Sequence, residues 1–111
     1  MDQSKEIQEK IQELQILEHN LQSILAQKQS IQIELNEVEN ALNELKKTKD
    51  ETYKVLSGIM IKADKNTLIK ELEEKKKLSD LRISSIEKQE KLIEDKAMHL
   101  KEEVSSLVKK K

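Results

Sequence analysis

The chain has 111 residues, of which 39% are charged and 1% aromatic, with no cysteine, proline, tryptophan or phenylalanine and a net charge of −1. Without cysteine there is no disulfide framework and no thiol nucleophile or thiolate metal site, and so small a net charge gives no global pull toward nucleic acid or membrane. No apolar run approaches the roughly 20 residues of a membrane span, and Met1 to Glu6 lack signal-peptide character, so a soluble cytoplasmic protein is expected.

The first predicted element is a long helix over residues 1–50. One heptad frame fits it throughout, with a positions Ile7, Leu14, Leu21, Lys28, Leu35 and Leu42 and d positions Lys10, Leu17, Ile24, Ile31, Val38 and Leu45. Ten of these twelve are apolar, the mark of a coiled-coil seam. Lys46, Lys47 and Lys49 suit the negative end of this helix's dipole.

Residues 51–64 change period. Thr52 to Leu56 and Ile59 to Ala63 are two β-prone runs around Ser57 and Gly58, the chain's only glycine. A two-residue loop would pair Tyr53 with Lys62 and mix the faces. A three-residue loop, Ser57 to Ile59, would put Tyr53, Val55, Ile61 and Ala63 on one face and Lys54 and Lys62 on the other. Face segregation favours the three-residue loop. An isolated two-stranded ribbon is marginal in water and its edges invite another chain, so the ribbon is expected to pair with ribbons of other subunits; a plain structured link between helices is the competing reading.

A second helix follows over residues 65–111, capped by Asp64, with Asn66 as the alternative. Its seam has a positions Ile69, Lys76, Ile83, Glu90, Ala97 and Val104 and d positions Leu72, Ser79, Ile86, Ile93, Leu100 and Leu107, nine of them apolar. Each seam spans about 58 Å at about 1.5 Å per residue. Folded back, Leu45 meets Ile69 and Ile7 meets Leu107. The fold class is therefore mainly α: an antiparallel two-helix coiled-coil hairpin with one central β-hairpin, read as a single domain over residues 1–111. Residues 1–56 carry a net −4 and residues 57–111 a net +3, which favours lying side by side. Lys28 and Glu90 interrupt the seams about one turn apart; they either meet and fix the register or reach solvent separately.

The run Tyr53-Lys54-Val55-Leu56-Ser57-Gly58-Ile59-Met60-Ile61-Lys62, followed by Asp64-Lys65 and Leu68 to Glu74, resembles the central signature of prefoldin β-class subunits. Gln27 to Gln29 and Arg82 to Glu90 are similar as well. Many members carry proline after the glycine, where this chain has Ile59. The resemblance implies an ATP-independent co-chaperone that captures unfolded proteins and delivers them to a group II chaperonin. It implies a hetero-hexamer of two α-class and four β-class subunits whose hairpins join in an inter-subunit β-barrel. Tyr53, Val55, Leu56, Gly58, Ile59, Met60 and Ile61 are then the oligomerisation residues.

A protein that holds unfolded chains needs exposed apolar surface, and the ends of a coiled coil offer it because the seam there lacks full partners. The candidate client-binding residues are Ile7, Ile11, Leu14, Ile16 and Leu17 with Met98, Leu100, Val104, Leu107 and Val108. Ile11, Ile16 and Val108 lie off the seam. Lys109 to Lys111 either dock an acidic chaperonin surface or serve as a solvated tail. No phosphate loop and no nucleophile–base pair is present, so neither enzyme activity nor a cofactor is expected. His19 and His99 lack a further metal ligand. A basic stripe for nucleic acid is missing. The competing function is a structural coiled-coil adaptor.

Overall fold

The computed structural model describes residues 2–109. Its elements in order are α1 (Asp2–Lys47), β1 (Tyr53–Leu56), β2 (Ile59–Lys62) and α2 (Lys65–Lys109). Two long helices with a central antiparallel two-strand hairpin are therefore the architecture, as the heptad frames and the change of period require. No helix among the described residues is long and apolar enough to cross a membrane.

The chain divides into two compact units, Ser30–Ile83 and the pair of segments Met1–Gln29 with Ser84–Lys111. In the first, the hairpin unit, Ile31, Leu35, Val38, Leu42 and Leu68 are buried. All but Leu68 are a or d residues of α1, which places its stripe in the interface. Ser79, a d residue of α2, is the most enclosed position at 3% exposure. No buried side-chain polar atom among the described residues lacks a hydrogen-bond partner, so polar seam positions do not leave an orphaned group. Ion pairs Glu34–Lys75 (3.3 Å), Glu39–Lys76 (3.9 Å) and Lys46–Glu73 (3.9 Å) stitch the two helices along the flanks of this unit.

The second unit joins the first part of α1 to the last part of α2. Ile24, Ile86 and Ala97 are buried there. Toward the ends the seam is only half covered: Ile7, Leu14, Leu17, Leu100, Val104 and Leu107 are all half-buried. Lys28 does meet Glu90, at 3.3 Å, and Glu87 at 3.5 Å. The two interrupting seam charges thus satisfy one another rather than reaching solvent separately.

The junctions show why the helices stop where they do. Asp64 caps α2: its Oδ2 accepts from the Thr67 amide and hydroxyl, each at 3.1 Å, the N-cap role expected of it over Asn66. The Lys65 ammonium donates to the Thr48 carbonyl oxygen at 2.8 Å, satisfying an acceptor at the end of α1 with a cation where the helix dipole is negative. Thr52 and Ala63 clamp the base of the ribbon, the Ala63 amide donating to the Thr52 carbonyl (2.9 Å) and the Thr52 hydroxyl to the Ala63 carbonyl (2.7 Å).

The three-residue loop is corrected by the structure. The register is Tyr53↔Lys62, Lys54↔Ile61, Val55↔Met60 and Leu56↔Ile59, which leaves a two-residue loop of Ser57 and Gly58. Both have positive φ, 49° and 79°, the signature of a type I′ turn whose twist matches that of the strands. Turn geometry overrides face segregation because each lysine finds an acid on its own face. Lys62 reaches Glu51 at 3.0 Å and Lys54 reaches Glu71 at 3.1 Å. Gly58→Ala meets no steric obstacle, since nothing lies within 4 Å of an added Cβ, but it forces a side chain into left-handed backbone at a cost of about 1 kcal/mol. Ser57→Asn creates the Asn-Gly pair that type I′ turns prefer. Amide exchange of the strand residues is expected to quicken about fivefold in the first variant and to slow in the second; shifts of the same sign in both would contradict the turn.

Candidate functional site

Two regions singled out from the sequence carry exposed apolar side chains in excess of what a solvated helix pair needs. The first is the ribbon. Cross-strand partners share a face, so Tyr53, Val55, Met60 and Lys62 form one face and Lys54, Leu56, Ile59 and Ile61 the other. Val55, Ile59 and Met60 are 65%, 63% and 68% exposed, and Tyr53, Leu56 and Ile61 are exposed as well. The seven residues singled out from the sequence, Gly58 among them, are therefore brought together, with apolar groups on both faces rather than one. The sheet has two strands only, so each strand is also an edge with backbone donors and acceptors turned outward.

Glu51 braces this ribbon and escaped the sequence reading. Its carboxylate accepts from the Lys62 ammonium at 3.0 Å and from the Tyr53 hydroxyl at 2.9 Å. The Lys62 hydrogen bond, then that of Tyr53, holds its carboxyl below the usual carboxylate range. The signal was available once the register is right: Tyr53 and Lys62 are cross-strand partners, and Glu51 lies two residues before Tyr53 on the same face.

The second region is the terminal unit. Off-seam Ile11, Ile16, Met98 and Val108 are exposed, at 39%, 61%, 63% and 53%. Ile16, Leu17 and Leu100 line an open groove of about 570 Å³, rimmed by Glu13, Lys96 and His99. Half-buried seam residues and exposed off-seam residues thus make up the ten positions expected to contact clients. Of the basic tail, Lys109 closes α2, and Lys110 and Lys111 lie outside the described residues.

A polar clasp spans the two helices beside this groove. Lys10 donates to Glu103, and the other Glu103 oxygen lies 2.8 Å from His99 Nε2. The hydrogen bond from Lys10, aided by the charges of Lys10 and His99, holds the Glu103 carboxyl below the usual carboxylate range; the same bond raises Lys10 above its ordinary value. The Glu90 hydrogen bond raises Lys28 likewise. Lys10 was visible in the sequence as the second polar residue of the first seam; its partner was not, because Glu103 lies beside the second seam rather than in it. His99 is engaged with Glu103, and among the described residues no cluster of three or more metal-ligating side chains is present.

A depressed carboxyl stabilises the fold above its unfolded pKa and loses that contribution as pH falls through the folded one. The gap in thermal midpoint between the native chain and Glu103→Gln is therefore expected to be present at neutral pH and to shrink as pH falls below the ordinary glutamate range. A gap that widens in acid would contradict the assignment. For the inner pair, Lys28→Glu lowers the midpoint and the double swap Lys28→Glu with Glu90→Lys recovers most of the loss; equal losses in the single and double variants would show the pair to be uncoupled.

Known proteins share this arrangement. A family model described as prefoldin subunit matches residues 8–111. A prefoldin subunit beta of Archaeoglobus fulgidus is 32% identical over 105 residues, covering 93% of this chain and 90% of the relative. The prefoldin subunit beta of Methanothrix thermoacetophila is 35% identical over 101 residues, covering 89% and 84%. The crystal structure of the prefoldin beta subunit from Thermococcus strain KS-1 matches with a TM-score of 0.85 at 30% identity, covering 91% of this chain and 90% of that one. With two long helices, one ribbon between them and matches over nearly its full length, the chain belongs to the prefoldin family as a β-class subunit.

Proposed function

We propose that this subunit is part of an ATP-independent co-chaperone that captures unfolded proteins and passes them to a group II chaperonin in the cytoplasm. The observation that carries the reading is the placement of exposed apolar side chains in two separate regions, the ribbon and the terminal unit. Apolar surface on both faces and both edges of a two-stranded ribbon is a demand for further strands. Burying each of these side chains contributes about 1.5–3 kcal/mol, enough over six residues to hold an assembly. Copies of this chain and an α-class subunit supply the partners, two α to four β, with the ribbons closed into a barrel and residues 1–111 acting as one domain per copy.

The terminal residues then serve clients. Ile11, Ile16, Met98 and Val108 are exposed, while the charged rim around them keeps copies from sticking to one another. Each end binds an apolar segment weakly, and several ends around one client raise the avidity. No nucleotide takes part in this reading, since the sequence offers no phosphate-binding loop. The basic end of α2 adds an electrostatic contact to the chaperonin that weakens with salt.

Replacing Ile11, Ile16, Met98 and Val108 together by serine leaves the seam and the ribbon untouched. The assembled complex with an α-class partner should keep its native mass. Suppression of aggregation of a denatured test protein, followed by light scattering, should require at least about tenfold more complex, as weak sites lost in parallel demand. Undiminished suppression would remove the terminal residues from client binding. A native complex inert toward unfolded protein would instead make the chain a scaffold.

A further inference from the structure

One set of exposed apolar residues serves neither the seam nor the two regions above. In the hairpin unit Ile33 on α1 is 61% exposed, and Leu78 and Leu81 on α2 are 60% and 63% exposed. In the heptad frames Ile33 and Leu81 both occupy f, the position turned farthest from the partner helix, with Leu78 at c beside it. They sit at one level of the helix pair, because the flanking ion pairs Glu34–Lys75 and Glu39–Lys76 join the same stretches. The apolar patches therefore lie back to back on opposite sides of the unit and cannot cover each other within one chain.

We propose that these two patches meet between copies: the α1 face around Ile33 of one subunit packs on the α2 face around Leu78 and Leu81 of its neighbour, in a head-to-tail lateral contact. The occupant is a second copy rather than another protein for two reasons. Charge is complementary at matched height. Residues 30–40 carry Glu34, Glu37 and Glu39 with no lysine or arginine, whereas residues 75–82 carry Lys75, Lys76, Lys77 and Arg82 against Asp80 alone. Glu34 and Glu39 are engaged within the chain, and among the described residues no ion pair involves Glu37, Lys77 or Arg82. Glu37 lies one turn beyond Ile33, and Lys77 and Arg82 bracket Leu78 and Leu81, so the contact brings an acid to two bases around an apolar centre.

Width gives the second reason. A two-stranded ribbon occupies about 10 Å of a sheet at about 4.8 Å per strand, whereas two packed helices take up about 20 Å at about 10 Å each. Subunits whose ribbons pair edge to edge are crowded at the helices next to those ribbons. A heterologous contact is the form that adjacent copies take when they follow one another in the same sense around a closed ring of subunits. The inference rests on the ribbon-mediated assembly proposed above.

The chain has no cysteine, so introduced thiols are unique. Ile33→Cys and Leu81→Cys subunits, prepared separately, are mixed, assembled with the α-class partner, sized by mass spectrometry and treated with a bismaleimide spanning about 10 Å, the spacing of packed helices. The expected result is a covalent β–β dimer only when both variants are present. Complexes of native mass without that dimer overturn the lateral contact and leave ribbon assembly standing. Dimers formed as readily by either variant alone overturn the head-to-tail arrangement, and linkage to bound unfolded client instead of a neighbour reassigns the patches to the client. If native subunits fail to assemble at all, the reading of the ribbon falls first and this contact with it. As a second readout, Ile33→Ser with Leu81→Ser should make the complex dissociate at several-fold higher concentration while the helix content of the free subunit is unchanged.

Discussion

Two helices can hide only one stripe between them, and that limit shapes everything else in this protein. An antiparallel pair encloses its a and d positions and little more. Ile31, Leu35, Val38 and Leu42 reach 4–5% exposure where the seam is deepest. Every apolar side chain elsewhere must stay in water or find another chain. The fold therefore does not have a core in the sense of a globular domain; its surplus apolar surface lies at addresses set by the sequence. The ribbon, the terminal unit and the patches around Ile33 and Leu81 are such addresses.

Polar residues divide the labour with that stripe. Lys28 and Glu90 stand in the two seams and meet; Lys10 stands in one and meets a residue beside the other. A lone charge at such a position would be costly, and a paired one is nearly neutral in stability while excluding alternatives. Direction of charge does not simply follow the acidic and basic halves of the chain. Glu18, Glu34 and Glu39 of α1 take lysines of α2, yet Lys10, Lys28 and Lys46 of α1 take glutamates of α2. The net imbalance between the halves is thus a weaker guide to pairing than the position of each charge in the heptad.

Most of the architecture was legible because it rests on periodicity. The heptad frames located both helices, and the break in period with one glycine located the ribbon. Asp64 was recognisable as a cap because an acidic side chain before a helix has one obvious task. What failed was the ribbon's register. Sorting lysines from apolar residues pointed to a three-residue loop, but that argument presumes a ribbon with one dry face. Here both faces are apolar toward the turn and each has its own lysine, neutralised by Glu51 or Glu71. The acids that decide the matter lie outside the strands, one just before β1 and one on α2, where strand patterning cannot see them. The exposure of Ile11, Ile16 and Val108 followed from heptad position alone, whereas the clasp of Lys10, Glu103 and His99 needed the actual rotation of the two helices.

The spacing of the α1 lysines has a consequence for error correction. Lys10, Lys28 and Lys46 recur every 18 residues, which is five full helical turns, whereas the apolar stripe repeats every seven. A chain that melted its ribbon and slid by one heptad would find apolar side chains facing apolar side chains again. Slipped by seven toward the start of α2, Lys10 would confront Lys96 and Lys46 would confront Asn66, while Lys28 would exchange Glu87 and Glu90 for Asp80 and Ile83, so two of the three lysines would lose every acid and the third would keep one. The two incommensurate rulers act as a vernier: the short one permits many alignments, and the long one leaves a single alignment in which every mark coincides.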